Sequence, residues 1–189
     1  MTAPWSEPAV VIVTGIQAAG KSTIGRMLAE RLGRAAFIDG DTLAQMVISG
    51  RRPMTPEPSD DAVSQLHLRY RQAAALADSF HRAGFTAVMA DNFYGEGLTS
   101  QVDLVHARPV IVVVLAPSDE AVVERELRRG THAYGLWTGA DGLEGAVSEF
   151  QGYLAATPPI GLWLDSTGQT PATTVKTIVD RAWSEGRVR

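Results

Sequence analysis

The segment Gly15-Ile16-Gln17-Ala18-Ala19-Gly20-Lys21-Ser22 fits the pattern G-x-x-x-x-G-K-[ST]. Its chemistry follows from the residue types. The glycines let the backbone curl until successive N–H groups point into one cavity, where phosphate oxygens accept from them. Lys21 adds a full charge for the outer phosphates, and the Ser22 hydroxyl is a hard oxygen ligand suited to Mg²⁺. Thr23 continues the same turn. A chance glycine-rich turn would seldom sit between an apolar run, Val10–Thr14, and a stretch with Ile24, Leu28 and Leu32 at every fourth position. That setting is a strand feeding a helix, whose positive dipole end faces the same phosphates. Lys21 is also one of only two lysines beside fifteen arginines. The segment predicts a cradle for a nucleotide triphosphate with Mg²⁺, and ATP and GTP are equally compatible with it.

Moving a phosphate requires a group that orients or deprotonates the acceptor and a group that holds the metal; carboxylates do both. Asp39 and Asp41 follow a second apolar stretch, and Asp91 follows a third. In an open parallel sheet the ligand crevice lies beyond the carboxyl ends of the strands, so all three should point toward the cradle and an acceptor beside it. Asp41 is the candidate base. Asp91 ends an apolar strand and is the candidate Mg²⁺ carboxylate, acting through water. Asp39 could assist either, and capping of the helix that begins near Thr42 is the competing use for Asp39 or Asp41.

Arg125, Arg128 and Arg129 fall on one helix face at spacings of three and four, suited to stabilising a transferring phosphoryl group or to an ordinary solvated face paired with Glu124 and Glu126. The glycine- and aromatic-rich residues 130–142 come directly after, so residues 125–142 are a candidate lid. Residues 165–170 are a weaker candidate for contact with the base. Arg51, Arg52, Tyr94 and Glu96 could line an acceptor pocket, or be exposed loop residues. The four histidines have no metal-ligand spacing, and Trp137 and Trp163 read as core or pocket wall.

Positioning these residues takes alternating elements. Strands are predicted at 10–14, 36–38, 87–90, 110–115 and 161–165, and helices at 21–32, 42–48, 61–82, 98–106, 117–129, 143–155 and 171–183. The long helix 61–82 carries Val63, Leu66, Tyr70, Ala73, Ala77 and Phe80 at spacings of three and four. Strands alternating with helices give an α/β fold with a five-stranded parallel sheet between two helical layers. Residues 49–60, with three prolines, read as a loop within one domain rather than a linker.

At 189 residues, 45% apolar and 20% charged, the chain suits one globular domain spanning 1–189. A net charge of −4 with mixed signs argues against a bulk nucleic-acid or anionic-membrane surface. There is no cysteine, which excludes disulfides and thiolate metal sites. Residues 1–8 lack the layout of a signal peptide and no apolar run could span a bilayer, so a cytoplasmic location is expected.

The cradle at Gly15–Ser22, Asp41 after strand two and Ala90-Asp91-Asn92-Phe93 after strand three resemble chloramphenicol phosphotransferase and its P-loop kinase relatives. Those relatives include gluconate and shikimate kinases and the zeta-toxin group. The resemblance implies a nucleotide-kinase-like P-loop NTPase fold, ATP and Mg²⁺ as cofactors, and a small hydroxyl-bearing acceptor, with an antibiotic or natural product as one class. It also favours Asp41 over Asp39 as base. A metabolic or nucleoside kinase is the nearest alternative. A nucleotide-dependent regulator without acceptor chemistry is the alternative of a different class.

Overall fold

A computed structural model describes residues 5–139 and 141–188. The elements run β1 (Val10–Thr14), α1 (Lys21–Arg31), β2 (Ala35–Asp39), α2 (Gly40–Gln45), α3 (Asp60–Arg82), β3 (Thr86–Ala90) and α4 (Glu96–Leu104). Then come β4 (Val110–Leu115), α5 (Asp119–Arg129), α6 (Gly142–Ala155), β5 (Leu162–Leu164), α7 (Pro171–Glu185) and β6 (Arg187–Val188).

Every residue of β1, β3 and β4 is buried, as expected of parallel strands covered on both faces. Strand order is β2-β3-β1-β4-β5, all pairs parallel. A sixth strand was not expected. Arg187–Val188 pairs antiparallel with Ile111 and Val110, sharing the edge of β4 with β5, which pairs further along at Val113 to Leu115. Two residues carry too little periodicity to be seen as a strand in a sequence. Helices α1 and α7 pack together over one face and α3 and α4 over the other, giving the three layers. Among the described residues no helix is long and apolar enough to cross a membrane.

Helix ends follow local chemistry. Ser59, Ser118 and Thr170 accept from the N–H of Ala62, Ala121 and Thr173, capping α3, α5 and α7. Helix α2 starts at Gly40 instead of Thr42, because Asp39 at the end of β2 is its cap. The connections from β1 and β4 leave toward opposite sheet edges, so a crevice opens at the carboxyl ends of the central strands.

Candidate active site

The loop after β1 is shaped by backbone that side chains would disfavour. Gly15 has φ 145°, and a Cβ there would lie 2.5 Å from the Leu115 carbonyl oxygen at the end of β4. Gly20, φ 104°, precedes α1, and neither a capping side chain nor an acidic residue occupies that helix's first turn. The first N–H groups of α1 thus have no side-chain cap, the arrangement that suits an anion at a helix N-terminus. Lys21 folds back so that its Nζ donates to the Ile16 carbonyl at 2.7 Å. Burial pulls its pKa down to about 8, against the opposing charges of Asp91 and Asp41. Ser22 is half-buried, and its hydroxyl has no partner among the described residues.

Thr14 ties this loop to the loop after β3. Its Oγ1 donates to the Phe93 carbonyl at 2.6 Å and accepts from the Phe93 N–H at 2.9 Å. This brings Asp91 to the cradle, together with a partner that sequence reading missed. Arg69 of α3 forks onto Asp91, with Nε 2.8 Å from Oδ2 and Nη2 3.0 Å from Oδ1. Oδ1 also accepts from the Asn92 N–H at 2.7 Å. Asp91 is only 5% exposed, and burial pushes its carboxyl up against the pull of Arg69. Gly40 makes room for it: a Cβ at 40 would sit 2.1 Å from Asp91 Oδ2. No local signal joins residue 69 to residue 91; the only hint is that Arg69 precedes Tyr70, which bonds to the Asn92 carbonyl at 2.9 Å.

The two aspartates after β2 have different surroundings. Asp39 Oδ1 accepts from the Asp41 N–H at 3.1 Å, which is the capping bond. The Asp41 carboxylate is exposed, lines the cleft and has no hydrogen-bond partner among the described residues.

The three-arginine face divides. Arg125 does not face the cleft: it donates to the carbonyls of Ala19 at 3.3 Å, Ser166 at 2.6 Å and Thr167 at 3.3 Å, joining the back of the cradle to the loop after β5. Arg128 pairs with Glu124 on the exposed side and does not line the cleft either. Only Arg129 does. Four residues on a helix span more than one turn, so positions 125 and 129 sit one above the other at different depths. In this arrangement neither Arg125 nor Arg128, the two expected to meet the transferring phosphate, faces the cleft.

The candidate lid is anchored at its base. Buried Glu126 accepts from the Thr131 hydroxyl and from the Ala133 N–H at 2.6 Å. Buried Tyr134 donates to the Gln17 carbonyl at 2.8 Å, directly in the cradle. Ala140, within the same stretch, lies outside the described residues.

These parts enclose a cleft of about 900 Å³. Its walls are the cradle, Asp39 and Asp41, residues 51–56, one side of α3, and an aromatic group including Tyr94 and Trp137; Glu96 is not part of it. Gln65 holds the proline-rich loop to α3, donating to the Gly50 carbonyl at 2.9 Å and accepting from the Arg52 N–H at 3.0 Å. Among the described residues no three His, Cys, Asp or Glu side chains group as a metal cage. The hard oxygens of Ser22 and Asp91 near a phosphate cradle do fit Mg²⁺, which takes one or two protein ligands with phosphates and water.

The family model described as an AAA domain matches residues 10–136. A shikimate kinase from Halorhodospira halophila is 32% identical over 130 residues, which is 69% of this chain and 67% of that protein. Shikimate kinase from Acinetobacter baumannii, solved in complex with shikimate, superposes with a TM-score of 0.63 at 16% identity over 95% of this chain and 94% of that one. A gluconokinase from Sinorhizobium meliloti gives 0.61 at 20% identity over 92% and 90%. At those identities the two structures establish the likeness of fold.

Proposed function

The chain belongs to the AAA domain family and to the P-loop kinases of the shikimate and gluconate kinase-like group, and on that premise we propose that it transfers the γ-phosphate of ATP to a hydroxyl of a small molecule. The observation that carries this reading is the Asp41 carboxylate, unpartnered among the described residues, in the same cleft as Lys21 and the cradle. A pure nucleotide switch has no use for a free carboxylate facing an acceptor-sized space.

The N–H groups of residues 15–22 and the Lys21 ammonium hold the β- and γ-phosphates. Binding draws Nζ off the Ile16 carbonyl, and the phosphate charge keeps the lysine protonated. Asp41 accepts the hydroxyl proton as the acceptor oxygen bonds to the γ-phosphorus. The bond from that phosphorus to the β,γ-bridging oxygen breaks, leaving ADP and a phosphate monoester. Mg²⁺, when bound, supplies positive charge to the phosphate oxygens. The Ser22 hydroxyl would hold it directly and Asp91 through water, its Oδ1 already accepting from Arg69 and from the Asn92 N–H while Oδ2 has no hydrogen-bond partner among the described residues. Asp39 fixes the start of α2 and with it the place of Asp41.

The test is mass spectrometry of hydroxylated metabolites, nucleosides and antibiotics incubated with the protein, ATP and Mg²⁺. A product heavier by one phosphate is expected, absent with Lys21→Ala. With Asp41→Asn it should fall by about 10²–10⁴-fold, the usual worth of a general base. Full activity in Asp41→Asn would remove the base assignment. Tight ATP binding without any product across the panel would overturn the kinase reading.

A further inference from the structure

We propose that the outward face of α3 is the interface of a two-fold symmetric dimer, in which this helix packs antiparallel against α3 of a second copy of the chain.

Only one side of the 23-residue helix meets the sheet, through Ala73, Ala74, Ala77 and Asp78. On the opposite side Asp61, Ser64, Leu68, Gln72, Ala75, Ser79 and Arg82 recur at spacings of three and four, and all are exposed. Between its two ends this line carries no charge. The exposed faces of α5 and α7 are different: they are laced with the pairs Arg128–Glu124, Lys176–Asp180 and Arg181–Glu185. Among the described residues α3 has no such internal pair. It has apolar surface instead. Five of the eight exposed large apolar side chains, Met46, Ile48, Leu68, Leu76 and Phe80, lie on α3 or just after α2. Gln65 draws the segment with Met46 and Ile48 alongside α3 by holding the Gly50 carbonyl and the Arg52 N–H. Gln65, Gln72 and Leu76 share one side of the helix, so apolar surface widens the line there.

What fits this face is the face itself. The first turn of α3 is acidic, with Asp60 and Asp61, and the last is basic, with His81 and Arg82. A parallel neighbour would set like charges together. An antiparallel one sets opposite charges together and aligns the helix dipoles favourably. With a two-fold axis between residues 71 and 72, Asp61 lies opposite the partner's Arg82, and Ser64 opposite the partner's Ser79. Leu68 then meets the partner's Ala75, a large side chain over a small one, at both ends of the contact. Arg82 has no ion-pair partner among the described residues, and Asp61 has only a solvent-exposed contact with Arg52 at 3.6 Å. Arg71 stands on the flank of the line, where its charge stays in water.

Sedimentation velocity of the full chain from about 1 to 100 μM should show a concentration-dependent dimer. Ala75→Glu, at an exposed position, should weaken it by about tenfold or more while circular dichroism and thermal midpoint stay near wild type. Asp61→Arg and Arg82→Asp should each weaken it by about tenfold, and the two together should restore it, because the pair re-forms with its signs reversed. The chain has no cysteine, so introduced thiols report the register cleanly. Gln72→Cys, beside the axis, should give a disulfide-linked dimer on mild oxidation. Ser79→Cys, about 20 Å from its own counterpart, should link only when mixed with Ser64→Cys. A chain that stays monomeric throughout, a dimer indifferent to Ala75→Glu, or self-linking of Ser79→Cys in place of Gln72→Cys would overturn the inference. None of these readouts depends on phosphate transfer, so the kinase reading stands or falls separately.

Discussion

Replacing Arg69 with methionine tests the pair that sequence reading missed. The substitution keeps an apolar stem of similar length and removes the guanidinium. Asp91 then loses the Nη2 donor at 3.0 Å and the guanidinium charge whose Nε stands 2.8 Å from Oδ2, and keeps only the Asn92 N–H as a donor. The Asp91 side chain is 4% exposed, so water replaces what is lost only poorly. Removing one partner of a buried pair costs about 3–5 kcal/mol. In a domain of this size, where 1 kcal/mol moves Tm by about 2–4 °C, that is a fall of roughly 6–20 °C. Asp91→Asn should cost less, because the Arg69 side chain is 18% exposed and its charge can turn toward water. The double variant Arg69→Met, Asp91→Asn should recover most of the loss, since no buried charge remains. Urea denaturation of the four proteins at pH 7 completes the cycle. A loss under 1 kcal/mol for Arg69→Met, or strict additivity in the double variant, would refute the claim that this pair is electrostatically closed.

Three further outcomes follow from named groups. Lys21 has a pKa lowered to about 8 by burial, and phosphate binds its charged form. ATP affinity should therefore fall as pH rises through 8, about tenfold per unit well above it, while Lys21→Met binds weakly with no such slope; a flat wild-type profile from pH 7.5 to 9.5 would contradict this. Asp78 is buried, which alone would raise its carboxyl, but the Ala107 N–H at 2.8 Å, the His106 ring and the His106 N–H together hold it below the ordinary 3.8. That lowered value contributes stability present above pH 3.8 and lost as pH falls through the folded-state value. Asp78→Ala should cost about 2–4 kcal/mol at pH 7 by stranding two N–H groups, with the gap to wild type narrowing below pH 3.8 in denaturation curves. Tyr134→Phe removes the bond to Gln17 at 2.8 Å. It should lower stability by about 0.5–1.5 kcal/mol and speed hydrogen exchange of the residues 15–20 amides; unchanged exchange there would show that the cradle is rigid without it.

The cradle is legible in the sequence because its information is local. A glycine–lysine–serine pattern between an apolar run and a four-residue periodicity constrains backbone torsions and dipole direction over twenty consecutive residues. The strands β1, β3 and β4 are legible for the same reason, since burial on both faces writes a continuous apolar run. The role of Asp39 is not. Both aspartates suit a cap, and only the turn from β2 into α2 decides that Asp39 accepts from the Asp41 N–H and leaves the Asp41 carboxylate facing the cleft.

Pairings between elements were further out of reach. Arg69 meets Asp91 across 22 residues, Tyr134 meets Gln17 across 117, and Arg125 meets Ala19 across 106. Helical spacing grouped Arg125 with Arg128 correctly on α5, but it carries nothing about which neighbour that helix packs against. That neighbour is set by the strand order, through the crossing of β3 to β4 over β1 and the placement of β5 beyond them. Sequence alone therefore determined where the glycine-bounded cradle forms between β1 and α1, because backbone geometry is a property of a short segment. Tertiary structure decided which charges remain free to act there, because a charge is cancelled only by the group that packing brings within about 3 Å of it.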